Sequence, residues 1–235
     1  MLVQLLSALL LWPQAGPAPD STDVYYLVFL RPDPARTPLA KADGERIQSA
    51  HMANIRDMGA RGILMAAGPF DDTPPTISGI FVLKAASLDE ARRIAAQDPT
   101  VVEHRNRVDV FAWRGPRDVG VEYRRSHKEN PQTPEGMGVQ PFVMLYRGGD
   151  WDKQPTKRTQ ILAAHDEYIG RMRQEGKLGA SGPVQGDASL QAIVIFHRMH
   201  DDEARRLAGE DPAVKAGVLR VEYHRWWSAE HVLPW

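Results

Sequence analysis

The chain alternates between short, densely apolar runs and longer stretches in which apolar residues return every three or four positions. Tyr25-Tyr26-Leu27-Val28-Phe29-Leu30, stopped by Arg31-Pro32, predicts a strand. Over residues 42–60 the stripe falls on 47, 51, 55 and 58, which is helical spacing, and Gly62 is the expected stop. Ile63-Leu64-Met65-Ala66-Ala67 predicts a strand closed by a turn at Gly68-Pro69, and Ile77 to Lys84 predicts another. Ser87 then stands as the N-cap of a helix whose acidic start and following Arg92-Arg93 suit the helix dipole. Asp98-Pro99 ends that helix, because the residue before a proline is pushed out of the α region. Val108 to Trp113 is a last strand. The order β-α-β-β-α-β is the split, ferredoxin-like unit.

The whole pattern then occurs a second time. Ile47, His51, Ile55, Met58, Gly62 and Gly68-Pro69 return as Ile161, His165, Ile169, Met172, Gly176 and Gly182-Pro183, each 114 residues later. Asp89-Glu90-Ala91-Arg92-Arg93, Asp98-Pro99 and Trp113 return as Asp202-Glu203-Ala204-Arg205-Arg206, Asp211-Pro212 and Trp226, now at a spacing of 113. So many positions in one register mark a tandem duplication of a unit of about a hundred residues, too long for a solenoid repeat of ~20–50 residues. The second set of elements is expected at Phe142–Tyr146, 158–174, Leu178–Ser181, Leu190–Phe196, 201–210 and Val218–Trp227.

A four-stranded sheet with two helices on one face leaves its other face bare, and two such sheets can cover each other. The expected fold class is therefore α+β: two ferredoxin-like repeats packed sheet to sheet within one chain, an intramolecular α+β barrel. Alternation in Val108/Val110/Ala112 and Val194/Phe196 is read as the apolar lining of that shared face. The boundaries drawn are 21–113 for the first repeat, 114–139 for a polar, proline-containing linker, and 140–235 for the second repeat with its tail. Residues 1–20, a short leucine-rich run followed by small residues and prolines, resemble a secretory leader. They are expected either to direct export or to form a tail on a protein that stays in the cytoplasm.

Composition narrows the function classes. A net charge of −1 gives no basic stripe for nucleic acid. No apolar run reaches the ~18 residues of a bilayer span. With no cysteine, disulfides and thiolate chemistry are excluded.

The chemistry centres on His51 and His165, each set in the apolar stripe of its helix between isoleucines at i−4 and i+4. A buried imidazole needs hydrogen-bond partners, and a carboxylate is the usual partner of a working histidine. Asp98 and Asp211 stand at equivalent places at the end of the second helix of each repeat. A His–Asp pair can serve as a general base, the carboxylate fixing the tautomer. The other reading is a core histidine satisfied by backbone, with Asp-Pro merely stopping a helix. The repeats also differ: Asp166 and Glu167 follow His165 where Met52 and Ala53 follow His51.

A strand, a helix carrying His ahead of a Gly-Pro segment, then Asp-Glu-Ala, Asp-Pro and a strand ending in an aromatic residue together resemble the YciI-like (YCII-related) domain family. The resemblance covers about residues 24–113 and 141–227. It implies the dimeric α+β barrel fold and an active-site His and Asp, here His51 with Asp98 and His165 with Asp211. It also implies chemistry without a cofactor, such as elimination of chloride from a chlorinated hydroxylated aromatic. Duplication within one chain departs from the family's common single-domain form.

Other patterns carry less. His197, His200, Asp201 and Asp202 have metal-like content but lie where a strand meets a loop, and a solvated turn is expected. No phosphate-binding loop or nucleophile elbow is present. Arg105, Arg107, Arg220 and Arg225 are read as solvated, and Trp226, Trp227 and Trp235 as packing. The expectation is a lyase or hydrolase acting on a small molecule of unknown identity, using a His–Asp pair and neither metal nor cofactor. The alternatives are a barrel that binds a small molecule without turnover and an exported domain that mediates protein contacts. Beyond the internal pairing of repeats, self-association is left open.

Overall fold

A computed structural model of the chain describes residues 22–71, 76–130, 132, 136–153, 155–187 and 189–234. The leader and Trp235 lie outside the described residues. The first repeat runs β1 (Thr22–Pro32), α1 (Lys41–Ala60), β2 (Leu64–Pro69), β3 (Gly79–Leu83), α2 (Leu88–Ala95), α3 (Pro99–Val102) and β4 (Asn106–Pro116). After α4 (Val121–Glu129) the second repeat follows as β5 (Met137–Arg147), α5 (Pro155–Gln174), β6 (Leu178–Gln185), β7 (Leu190–Phe196), α6 (Asp201–Glu210), α7 (Pro212–Lys215) and β8 (Leu219–Ala229). Ser87 caps α2 by accepting from the Glu90 amide.

Each repeat forms an antiparallel sheet, β2-β3-β1-β4 and β6-β7-β5-β8, and the edges join. At one seam β4 pairs with β6 through Ala112 opposite Gln185 and Trp113 opposite Val184. At the other, Phe70 bridges to Trp226 and the Asp71 amide donates to the Arg225 carbonyl at 2.8 Å. The eight strands thus close into a barrel, with helices outside both halves.

Gly68 and Gly182 make both seams narrow enough to close. A Cβ on Gly68 would stand 1.7 Å from the Trp227 carbonyl oxygen, and one on Gly182 would stand 1.9 Å from that of Arg114. Gly68-Pro69, read from sequence as a turn, and its repeat Gly182-Pro183 are therefore strand residues at the junction, glycine because another backbone passes there.

Burial on both faces explains why β1 is so uniformly apolar. Tyr25, Leu27 and Phe29 point into the barrel with Trp113, Phe142, Met144 and Trp226. Tyr26, Val28 and Leu30 point outward beneath the helices. The face expected to line the barrel is the opposite one: Val110, with Val108 and Ala112 beside it, packs under the first repeat's helices. Val194 and Phe196 pack under those of the second. Both faces of these strands are apolar, so alternation could not tell inside from outside.

The stretch read as a linker holds α4. Val119, Val232 and Leu233 join the barrel core, the Val119 amide donates to the Tyr25 hydroxyl, and the Gly120 amide donates to the Val232 carbonyl at 2.6 Å. Helix α4 and the C-terminal segment thus cap one end of the barrel. Among the described residues no helix is long and apolar enough to cross a membrane.

Candidate active site

Helix α1 brings His51 against the sheet with its ring lying along Phe81, centroids 5.8 Å apart and planes 24° apart. Asp98 meets it from the junction of α2 and α3. The proline after Asp98 starts α3, and Asp98 caps it, accepting from the Thr100 amide at 3.0 Å. The Thr100 hydroxyl donates to the same oxygen at 2.6 Å, and the Asn54 amide group donates to Oδ2 at 3.0 Å. Nδ1 of His51 lies 2.8 Å from Oδ2 and 3.0 Å from Oδ1.

Burial pushes the Asp98 carboxyl up. The bonds from His51, Thr100 and Asn54, together with the charge of His51, outweigh that and hold its pKa below the usual carboxylate value. An ionised carboxylate only accepts, so the proton between the two groups belongs on Nδ1 of His51, a tautomer assigned from the network. The lone pair then sits on Nε2, which no group among the described residues bonds. Asp98 is fully buried and the His51 side chain keeps 13% of its surface exposed.

The second pair repeats the contact without the surroundings. Nδ1 of His165 lies 2.5 Å from Oδ2 of Asp211, and the Ala213 amide donates to Oδ1 at 2.8 Å. Ala213 stands where the first repeat has Thr100, and Tyr168 stands where it has Asn54. The Tyr168 hydroxyl donates not to the aspartate but to the Leu207 carbonyl at 3.0 Å. Both partners are buried, their side chains 5% and 3% exposed. Beside Asp211 is an apolar recess lined by Tyr168, Ile169, Met172 and Phe196, with space for about one water molecule.

All four residues expected from sequence thus meet in two pairs. The supporting groups were not expected. Asn54 is three residues beyond His51, hence on the same helix face, and that spacing could have revealed it. Thr100 could have been found from the Asp-Pro-Thr order, which favours a side-chain cap. Phe81 is brought in by sheet pairing, for which no local pattern exists.

Three of the four arginines read as solvated have hydrogen-bond partners, and Arg220 keeps 56% of its side chain exposed. Arg105 donates to the Thr37 carbonyl at 2.6 Å, Arg107 to Asp109 at 3.3 Å, and Arg225 reaches Asp71 of the other repeat at 2.9 Å. Around His200, Asp201 accepts from the Tyr223 hydroxyl at 3.0 Å. Trp226 is fully buried in the barrel, whereas Trp227 is 37% exposed on its outside.

The model of the YCII-related domain family matches residues 24–114 and again 142–227. The chain belongs to this family. Among solved structures it is similar to a variant of chlorite dismutase from Candidatus Nitrospira defluvii, with TM-score 0.54 and 10% identity over 88% of this chain and 91% of that one. A heme-binding protein from Thermus thermophilus matches with TM-score 0.50 and 18% identity over 91% of this chain and 95% of that one. These likenesses are of fold: a YCII-related chain carrying both halves of an α+β barrel. No curated protein matches the sequence.

Proposed function

We propose that this YCII-related protein is an acid–base enzyme, a lyase or hydrolase acting on a small molecule, with His51 as its general base. The observation that carries the reading is the unequal setting of the two pairs. Asp98 is ionised, fully buried and held by four donors, so the His51 ring is fixed with Nε2 as its basic atom, on a side chain that keeps 13% of its surface exposed. In an elimination, Nε2 takes a proton from carbon, the C–H electrons form the double bond, and the leaving group departs with its bonding pair. Asp98 stabilises the imidazolium so formed. The proton passes to water or to the leaving group when the site resets.

In the second repeat the recess beside Asp211 holds about one water molecule, which favours a structural role for that pair. The heme of the Thermus thermophilus protein would need a pocket of ~300–1,000 Å³. The described residues do not fit it. The barrel interior is filled by Phe29, Phe142, Trp113 and Trp226, the recess beside Asp211 has room for about one water, and His51 lies on Phe81 beneath α1.

Paired variants test the assignment. On any substrate found by screening small halogenated or hydroxylated acids, His51→Ala is expected to lower kcat about a hundredfold or more. His165→Leu should keep most of the rate while lowering the melting temperature. Full activity in His51→Ala, or loss only in His165→Leu, would remove the first pair from the chemistry.

A further inference from the structure

The two ends of the barrel are unlike. Strands β1 and β5 both begin at the end capped by α4 and the C-terminal segment, and both leave through the other end. Inner-facing positions there are polar. Pairing sets Asp109 opposite Phe29 and Arg107 opposite Arg31, and in the second sheet sets Glu222 opposite Met144 and Arg220 opposite Tyr146. Phe29 and Met144 belong to the barrel core, so their partners share its inner face.

Among the described residues, the inward side chains at this end keep part of their surface in solvent. Arg31, Asp109 and Glu222 keep 20%, 29% and 31% of their side chains exposed, Arg220 keeps 56%, and His224, one step deeper than Glu222, keeps 4%. The gradient describes a vestibule narrowing inward, with half-buried Phe111 and Tyr146 as flat apolar walls. The residues in it are connected. Arg31 pairs with Asp109 at 2.5 Å, and Nε2 of His224 lies 3.1 Å from Oε1 of Glu222, the ring tilted against Phe70 at 5.1 Å. Burial, then the charge of Glu222, raise the Tyr146 hydroxyl pKa against the opposing effect of Arg31, so Tyr146 remains a proton donor.

The barrel symmetry does not require Arg31 or His224. Where the second repeat has His224 the first has Phe111, and where the first has Arg31 the second has Tyr146. At the other two positions the repeats agree, Arg107 with Arg220 and Asp109 with Glu222. The arginines at 31, 107 and 220 stand with Asp109 and Glu222 here, and the charge of Asp187 also reaches Tyr146. Arg220 stacks on the Tyr146 ring at 4.7 Å and stands 3.8 Å from Glu222, beyond hydrogen-bond length, which leaves guanidinium N–H groups for a ligand.

We infer that the open end of the barrel is a second binding site, shared by the two repeats and separate from the His–Asp pairs, for a small planar organic anion. Its acid group lies on the edge of Arg220 and its flat body against Tyr146 and Phe111.

The test is a titration of the full chain with benzoate and with its neutral analogue benzamide, read by NMR at His224, Tyr146 and His51. Benzoate is expected to shift His224 and Tyr146 saturably, with benzamide binding at least about tenfold more weakly. Arg220→Ala, at a half-exposed position that folding should tolerate, is expected to weaken benzoate by a similar factor. His51→Ala should leave the titration unchanged whether or not His51 proves catalytic. Absence of saturation, equal response to benzamide, or undiminished binding by Arg220→Ala would overturn the site.

Discussion

Asp98 is a buried carboxylate whose charge is wanted by every group around it, and its contribution to stability therefore depends on pH in a definite sense. Its folded pKa is depressed, so the stabilisation is present above the unfolded value of ~3.9 and is lost as pH falls through the folded value. Asp98→Asn is expected to lower the melting temperature at neutral pH. The gap to wild type should narrow as pH drops below ~4, where the native carboxyl also becomes neutral. A gap that stays constant from pH 7 to pH 3 would contradict the ionised-acceptor assignment. The second pair makes a different prediction. His165→Leu leaves Asp211 buried without its main partner, and breaking such a pair costs about 3–5 kcal/mol. At this scale the sequence was informative: histidine in an apolar stripe implied a partner, and the repeated Asp-Pro supplied it. Accessibility was not legible, because it depends on which residues stand over the ring.

Among the elements, the strand edges carry the most specific requirement. Gly68→Ala and Gly182→Ala should each cost about 2 kcal/mol or more, since the added carbon meets a backbone oxygen that cannot move without opening a seam. Gly170 in α5 is a built-in control. Nothing lies near its Cβ position, and Gly170→Ala should stabilise by about 0.5–1 kcal/mol through helix propensity. Chemical denaturation of the three variants separates the cases; equal and small effects would mean that the seams are looser than described. Apart from α4 and the short α3 and α7, strands and helices were legible within a few residues because period and caps are local. The inner face of β4 was not, since Val110 and Phe111 are both apolar and only the pairing partner decides which one enters the barrel.

For the molecule as a whole, the barrel core draws Tyr25, Leu27, Phe29 and Trp113 from one repeat and Phe142, Met144, Ile193 and Trp226 from the other. Neither half can bury its inner face alone. Calorimetry of the full chain should therefore show one cooperative transition. A fragment spanning 22–130 should associate into dimers or aggregates in sedimentation, because its bare sheet seeks the partner that the second repeat provides. A stable monomeric fragment would contradict a shared core.

What the sequence determined by itself was whatever is written in local order: two copies of one unit, the elements of each, and the four residues of the two His–Asp pairs. These depend on period, on helix-ending prolines and on the identity of side chains, all properties of neighbours along the chain. Contacts between residues far apart in sequence decided the rest. Closure of the two sheets by edge pairing, the capping of one barrel end by α4 and the tail, the unequal burial of His51 and His165, and the polar vestibule at the open end all arise where distant strands meet. Burial and charge environment are sums over such contacts, and so only the folded chain fixes them.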